Sequence, residues 1–292
     1  MNNTDLNNIV SELIKPESYE QVYHKTNRHM AMPSLQELEK IVVLLKSILF
    51  PGYFDTSEIT PETMIYFLGA NIDKVASLLI DQIKKGFCFC CEDGQESACA
   101  RCEEIALENT HIFLKKLPKL RQMLAQDVEA AYVGDPATNN RGEIIFCYPS
   151  IRALTHHRIA HELFIQDVPL IPRIISEMAH SKTGIDIHPG ATISEGLFID
   201  HGTGTVIGDT CIIGKNVRIY QGITLGAKSF PLDSDGNPIK GIPRHPIVED
   251  DVIIYSGTTI LGRITIGQGA VIGGNMWVTD DVPRGSKILV CP

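Results

Sequence analysis

The chain has 292 residues, a length that favours about two domains. Hydrophobic residues make up 43% of it and charged residues 21%, proportions that allow a buried core and exclude a disordered or fibrous protein. The formal charge of −9 argues against nucleic acid as a main partner. Because the sequence has neither a membrane-length apolar run nor a secretory signal, we expect a cytoplasmic protein that does not bind membranes.

Residues 1–182 carry the spacing of amphipathic helices and form the predicted N-terminal helical domain. Ser34, with Glu37 three residues later, makes a capping box ahead of an apolar run. Pro61 predicts the start of a second helix, because proline is favoured at the first helical position. We assign these helices to packing. Further helices are expected at residues 102–124, 149–164 and 168–180.

A cysteine cluster interrupts this helical domain at residues 88–102. In a chain without a secretory signal, such a cluster favours metal binding or redox-active thiols over disulfides. Its spacing lacks the two-plus-two pattern of common zinc knuckles. A metal site and a set of reduced thiols around a turn at residues 92–94 therefore both stay open. The cluster consists of Cys88, Cys90, Cys91, Cys99 and Cys102.

From about residue 184 the pattern changes to an apolar residue at every sixth position, often followed by glycine. This period is typical of the hexapeptide repeats of a parallel β-helix. Each hexad forms one short strand and a turn, and three hexads form one triangular coil. The repeat residues are Ile187, Ile193, Ile199, Ile207, Ile213, Ile219, Leu225, Val248, Ile254, Ile260, Ile266, Ile272 and Val278.

Two interruptions of the repeat nominate a functional site, because residues outside the repeat add nothing to its stacked core. After Ile199 the next repeat residue comes eight positions later, so two residues bulge out. After Leu225 the spacing is 23, which predicts an external loop at residues 227–246. Each interruption contains a histidine, His201 in the first and His245 in the second.

Four motifs, in this order, resemble the serine acetyltransferase family over roughly residues 130–285. The resemblance implies an α + β chain, with the helical domain at 1–182 followed by a left-handed parallel β-helix at 183–292. It also implies acetyl transfer from acetyl-CoA to the hydroxyl of L-serine, which gives O-acetylserine, the first step of cysteine biosynthesis from serine. The motifs are Asp135-Pro136-Ala137, Asp186-Ile187-His188-Pro189, Asp200-His201-Gly202-Thr203-Gly204 and Arg244-His245-Pro246.

The resemblance also assigns roles to individual residues. A neutral imidazole suits the removal of a hydroxyl proton, and a carboxylate can orient it. The family implies His201 as this base and Asp186 as its partner, about one coil apart in sequence. It further implies that Asp135 and Asp200 hold the substrate ammonium and that Arg244 and His245 hold its carboxylate. No metal is expected in catalysis. The positions expected to contact coenzyme A are Gly226, Ala227, Ser256, Gly257 and Gly274.

The expected partners follow from the same resemblance. L-serine and acetyl-CoA are the implied substrates, and L-cysteine is the implied feedback inhibitor at the serine contacts. Hexapeptide solenoids form trimers with sites between subunits, so a trimer or a dimer of trimers is expected. The chain stops at residue 292, before the tail by which family members bind O-acetylserine sulfhydrylase. We therefore expect no stable complex with that enzyme.

Three other functions stay open on the sequence. The same fold could acetylate a different hydroxyl acceptor, such as a sugar or amino sugar, but the charges of Asp135 and Arg244 would then lack partners. A zinc protein resembling γ-class carbonic anhydrases needs three histidines, and His201 has no second histidine nearby in its coil. A non-catalytic scaffold or metal sensor built on the cysteine cluster is the third alternative.

Overall fold

The computed structural model describes residues 3–24, 31–54, 59–90 and 96–289, and up to residue 183 the regular elements are helices. Even the longest described helix, with 39 residues, contains no apolar stretch long enough to cross a membrane. The helices are α1 (Asn3–Leu13), α2 (Pro16–Tyr19), α3 (Leu35–Leu49), α4 (Met64–Cys90), α5 (Glu96–Gly134), α6 (Arg141–Cys147), α7 (Pro149–Phe164) and α8 (Ile171–Thr183).

The start of α3 uses half of the predicted capping box. The Ser34 hydroxyl accepts a hydrogen bond from the Glu37 N–H at 3.3 Å, as expected. The reciprocal bond does not form, because the Ser34 N–H donates to the Gln82 side chain of α4 at 2.7 Å. The Glu37 carboxylate pairs with Lys40 instead, at 2.6 Å. Tertiary contact with α4 therefore replaces a local cap.

Helices α4, α5 and α8 differ from their predicted bounds at the ends. Helix α4 begins three residues after Pro61, and a turn joins them through the Met64 N–H, which donates to the Thr60 carbonyl at 3.0 Å. Helix α5 extends beyond the predicted 102–124 at both ends. Helix α8 begins at Ile171 rather than 168, because Leu170 has a φ of 65°, which is not helical. It ends at Gly184, which takes the left-handed conformation that favours glycine at a helix terminus.

The second half of the chain consists of short strands, and every one of the thirteen repeat residues is the buried second residue of a strand. The predicted register is therefore confirmed. The strands are β1 (Asp186–Ile187), β2 (Thr192–Ile193), β3 (Phe198–Ile199), β4 (Val206–Ile207), β5 (Ile212–Ile213), β6 (Arg218–Ile219), β7 (Thr224–Gly226), β8 (Ile247–Val248), β9 (Ile253–Ile254), β10 (Thr259–Leu261), β11 (Thr265–Ile266), β12 (Val271–Ile272), β13 (Trp277–Val278) and β14 (Lys287–Ile288).

The strands form three parallel sheets that the chain visits in turn. Sheet A contains β1, β4, β7, β10 and β13, sheet B contains β2, β5, β8 and β11, and sheet C contains β3, β6, β9, β12 and β14. Three sheets of parallel strands after a helical region confirm the predicted fold class and are consistent with a left-handed β-helix. We call the corner where the chain passes from sheet C to sheet A the C–A edge. The corner between sheets A and B is the A–B edge.

A buried ion pair joins the helices to the first coil. Asp127 of α5 and Arg158 of α7 pair through both carboxylate oxygens, at 2.7 and 2.8 Å, with side chains 0% and 2% exposed. Burial raises the pKa of the Asp127 carboxyl, while the guanidinium and two backbone amides act against that shift. These amides belong to Gly196 and Leu197, just before β3, at 3.0 and 3.1 Å. Arg158 also donates to the Ile193 carbonyl at 3.2 Å.

Replacing Arg158 with alanine should destabilise the protein by about 3–5 kcal/mol, because Asp127 is left as an unpaired buried charge. Arg141→Ala is the matched control, since its pair with Glu129 at 2.6 Å is about half exposed on both sides. Its loss should cost about 1 kcal/mol or less. Denaturant unfolding at one protein concentration measures both. Equal losses for the two variants would contradict the role given to the buried pair.

Candidate active site

The eight-residue spacing after β3 forms the bulge that the sequence predicts, and it pushes an imidazole outward at the C–A edge. His201 has a φ of 55°, in the left-handed region that costs a non-glycine residue roughly 1–2 kcal/mol. The next residue, Gly202, also has a positive φ, and a Cβ there would lie 2.5 Å from Ile185. The side chain of His201 is 73% exposed as a result. The fold thus presents this imidazole to solvent instead of packing it.

Two carboxylates flank the imidazole. The Nε2 atom of His201 lies 3.8 Å from the Asp200 carboxylate. Asp135 follows the end of α5, and the positive field of His201 is one of the effects on it. Hydrogen bonds from the Tyr148 hydroxyl at 2.5 Å and the Ala137 N–H at 2.8 Å hold the pKa of Asp135 below its usual value. Asp135 is therefore an ionised carboxylate in the field of an exposed imidazole.

Tyr148 is a member of this site that the sequence analysis missed. Burial and the bond to Asp135 raise the pKa of Tyr148 to about 12, so its hydroxyl stays a donor at neutral pH. Nothing in the spacing marks it, because it precedes α7 and meets Asp135 only through the fold. Gly134 shapes the same corner, since a Cβ there would lie 2.6 Å from Phe198 of β3. We call Asp135, Tyr148, Asp200 and His201 the His201 group.

The second predicted histidine lies at the A–B edge, where Thr210 fixes it. The Thr210 hydroxyl and N–H both lie within 3.0 Å of His245 Nδ1, and the hydroxyl also accepts from the N–H groups of Arg244 and His245. Since Nδ1 accepts the Thr210 N–H, the ring proton belongs on Nε2. A Cβ on Gly208 would lie 2.2 Å from the ring, so glycine is required beneath it.

Burial and the neighbouring Arg244 lower the pKa of His245 to about 4. The ring is thus neutral at physiological pH and offers one N–H donor. Arg244 is partly covered, and one of its terminal nitrogens lies 3.7 Å from the carboxylate of Asp209. Its Nε is buried without a hydrogen-bond acceptor among the described residues, which is costly unless an anion binds there. We call Asp209, Thr210, Arg244 and His245 the Arg244 group.

Asp209 and Thr210 were also missed by the sequence analysis, because they occupy ordinary turn positions of a hexad. Their position could have indicated a role, because they directly follow Gly208 in the turn that meets the end of the external loop. His188, to which we gave no chemical role, lies here too, with its Nδ1 3.0 Å from Asp209. Asp209 therefore has cationic or polar neighbours on two sides.

One chain does not bring the two groups together. The His201 group follows β3 at the C–A edge, and the Arg244 group precedes β8 at the A–B edge, with sheet A between them. One hexad of extended chain, at most about 20 Å long, separates the two edges of sheet A. No contact between the groups occurs within the described residues. Each edge therefore carries half of the predicted site.

Asp186 makes no hydrogen bond or ion pair, among the described residues, with the imidazole it was predicted to orient. It begins β1 on sheet A, and one of its oxygens lies within 4.8 Å of ligand atoms of Glu177 and His180. The orienting role stays a prediction.

The positions expected to contact coenzyme A divide between the edges. Ser256, Gly257 and Gly274 lie on the C–A edge above His201, and a Cβ on Gly274 would lie 3.1 Å from the Ser256 carbonyl. Gly226 ends β7 and Ala227 begins the external loop, both at the A–B edge. The C–A edge thus combines its small residues with the stacked rings of Tyr220 and Tyr255, whose centroids are 5.1 Å apart.

Groups that could hold a metal are few in the described part of the chain. Glu177, His180 and Asp186 form the one such cluster found there, and Glu177 already pairs with Arg173 at 2.5 Å. In the cysteine cluster, Cys88 and Cys102 are buried and Cys90 is exposed. Cys91, the side chain of Cys99 and the predicted turn at 92–94 lie outside the described residues. Metal binding by the cysteines stays a prediction.

The state of His245 can be measured directly. Its imidazole should titrate near pH 4 in an NMR titration, because the fold disfavours the charged ring. Folding stability should then fall as pH drops from about 6.5 towards 4, since in this range the histidine is protonated in the unfolded chain and neutral in the folded one. His245→Asn assigns the signal and removes this part of the pH dependence. A titration near pH 6.5 would show that the ring is not desolvated as described.

Comparison with known proteins adds relatives of nearly full length. The chain is 48% identical over 286 residues to a plasmid-encoded serine acetyltransferase of Synechococcus elongatus, covering 97% of this chain and 90% of that one. A crystal structure of Entamoeba histolytica serine acetyltransferase 1 with L-cysteine matches with a TM-score of 0.74 at 34% identity, covering 93% and 94%. Isoform 3 from the same organism, with cysteine, matches at 0.72 and 30%, covering 99% and 93%. No family model matches the chain.

Proposed function

We propose that this chain, which belongs to the serine acetyltransferase family, transfers the acetyl group of acetyl-CoA to the hydroxyl of L-serine. The product is O-acetylserine, a precursor of cysteine. The observation that carries the proposal is the charge of the two half-sites. One edge offers carboxylates beside an exposed imidazole, and the other offers an arginine with a buried, unpartnered N–H. A free amino acid carries the complementary ammonium and carboxylate.

In this proposal the His201 group holds the amino end of serine and activates its hydroxyl. Asp135, kept ionised by Tyr148, and Asp200 accept hydrogen bonds from the ammonium. The exposed imidazole of His201 takes the hydroxyl proton as the serine oxygen attacks. We keep Asp186 as the carboxylate that orients the ring. Asp200, at 3.8 Å, is the nearest carboxylate within one chain.

The Arg244 group holds the carboxyl end. The guanidinium of Arg244 supplies charge and the Nε–H that has no acceptor among the described residues, and His245 supplies a neutral Nε2–H. Thr210 keeps both residues in place through three of its hydrogen bonds. Asp209, on the opposite side of Arg244, limits how far the guanidinium can turn. A neutral acceptor such as a sugar would leave these charges unmatched.

A complete site then needs two copies of the chain, because each copy places the half-sites on different edges of sheet A. We infer that the His201 group of one copy faces the Arg244 group of the next. Cyclic association of this kind closes into a trimer when sheet A faces the three-fold axis. Outward residues of sheet A are exposed in the single chain, among them Trp277 at 70% and Val206 at 37%. Such a face favours burial against other copies.

Acetyl-CoA is placed along the C–A edge, where glycines expose the backbone next to His201. The serine oxygen attacks the thioester carbonyl, the proton moves to His201, and backbone amides stabilise the resulting oxyanion. Collapse breaks the carbon–sulfur bond, and the imidazolium returns its proton to the departing thiolate. Attack is direct, within a ternary complex, and no acyl-enzyme forms. No residue of the proposed site requires a metal.

L-cysteine is the proposed inhibitor at this site. It has the same ammonium and carboxylate as serine and differs only in carrying a thiol in place of the hydroxyl. The same contacts of Asp135, Asp200, Arg244 and His245 would hold it. Two Entamoeba histolytica relatives were crystallised with cysteine, which supports this proposal.

Replacing His201 with alanine should lower kcat about 10²- to 10⁴-fold, because the proposed general base is lost. Coenzyme A binding and assembly should be unchanged, since the side chain is 73% exposed and adds nothing to the stacked core. His111→Ala, at an exposed position of α5, serves as the control. Release of free thiol from acetyl-CoA measures the rate. Retained turnover in H201A would remove this residue from the mechanism.

Replacing Arg244 with alanine should raise the KM for L-serine about 10- to 100-fold, the loss of one charge-assisted contact. The KM for L-serinamide, which has no carboxylate, should change little. Lys240→Ala, an exposed cation of the same external loop, controls for long-range charge. Kinetics with both substrates and binding of L-cysteine provide the readouts. An equal rise for serine and serinamide would refute the carboxylate contact.

A further inference from the structure

A cavity within the helical domain shares only Tyr148 with the His201 group and no residue with the Arg244 group. Its volume is about 310 Å³, within the lower range of small-molecule pockets. It is enclosed by the C-terminal ends of α3 and α8, by α6, and by the first turn of α7. A smaller cavity of about 250 Å³ adjoins it and shares three of its residues, which are Lys46, Arg152 and Lys182.

These three shared residues are all cations, and only one of them has a carboxylate partner within the described residues. Lys182 pairs with Glu39, the one acidic residue that lines either cavity. Arg152 has no carboxylate partner in the described part of the chain, and its charge acts on Lys46 and His156. Lys46 has no carboxylate partner there either, and its Nζ lies 3.9 Å above the ring of Phe54. Two positive charges are therefore left over at this cavity.

Aromatic rings line the cavity beside these cations. Phe54 contacts Phe50 and Phe146 with ring centroids 6.1 and 5.4 Å apart, and all three line the space. Phe146 is 55% exposed, although a large apolar side chain gains by burial. Flat apolar rings beside unpaired cations match a ligand that has both an aromatic ring and an anionic group.

The environment of Lys46 indicates that the cations of this cavity do not stabilise the fold. Burial, and the charges of Arg152 and Lys182, lower the pKa of its ammonium group, so the folded protein holds this charge at a cost. A methionine would fill the same space over Phe54 without that cost. Groups that destabilise the fold in this way are typical of binding sites.

We propose that the cavity lined by Lys46, Arg152, Lys182 and the Phe54 ring is a second binding site, which takes a small aromatic anion of nucleotide size. The anionic group lies between Lys46 and Arg152, and the ring packs against Phe54 and Phe146. Tyr148 separates this site from the serine site, since its ring lines the cavity and its hydroxyl bonds Asp135. Ligand at one site therefore does not exclude substrate at the other.

The test is calorimetric titration of the full chain with adenosine 5′-monophosphate, in the presence of saturating coenzyme A and L-serine. Coenzyme A occupies any adenine-binding position of the catalytic site, so the remaining heat reports the second site. We expect one nucleotide per chain. Adenosine and inorganic phosphate, each carrying half of the ligand, should bind at least about tenfold more weakly.

The double variant Lys46→Met, Arg152→Gln should bind the nucleotide at least about tenfold more weakly, while its thermal midpoint equals or exceeds that of the unaltered chain. Lys40→Met is the matched control, on the same helix but outside the cavity, and should leave binding unchanged. Absence of nucleotide binding under saturating coenzyme A would overturn the proposal. Equal affinity in the double variant, or equal affinity for phosphate alone, would overturn it as well. None of these readouts depends on acetyl transfer.

Discussion

The buried pair of Asp127 and Arg158 determines where the helical domain meets the solenoid, and the active site depends on that junction. Asp127 accepts hydrogen bonds from two backbone amides just before β3, and Arg158 donates hydrogen bonds to two carbonyls of the same coil. Asp135 follows the end of α5, eight residues after Asp127, and lies in the electrostatic field of His201. The two residues proposed to bind the ammonium and to act as the base, Asp135 and His201, therefore come from the helical part and the solenoid respectively. Only a rigid junction can hold them at a fixed separation.

The charges of the site follow a simple division. Carboxylates and an exposed imidazole gather at one edge of sheet A, and an arginine with a neutral imidazole gathers at the other. If both groups lay on one edge, Asp135 and Arg244 would pair with each other and neither would bind an amino acid. Sheet A keeps them apart within a chain. In the proposed assembly, the His201 group of one copy faces the Arg244 group of the next.

The repetitive part of the fold could be predicted residue by residue, because a period of six leaves little freedom in register. The bulge before Val206 and the external loop after Gly226 were visible as interruptions of the six-residue repeat. The hydrogen bond from Tyr148 to Asp135 could not be predicted, nor could the hydrogen bonds that Thr210 makes with Arg244 and His245. The Thr210 contacts join segments distant in sequence, and the Tyr148 contact joins two helices through the fold. Ser34 shows the same limit at a smaller scale, where Gln82 of another helix takes the N–H that a local capping box would use.

Subunit complementation tests the two-copy site most directly. The chain carrying His201→Ala lacks the base, and the chain carrying Arg244→Ala lacks the carboxylate contact, so each homo-oligomer should be nearly inactive at low serine. Co-assembly of the two variants should restore roughly a quarter of the wild-type sites, because random mixing gives one interface in four both intact halves. Activity that stays at the level of the separate variants, in mixed oligomers verified by mass spectrometry, would contradict a site shared between copies.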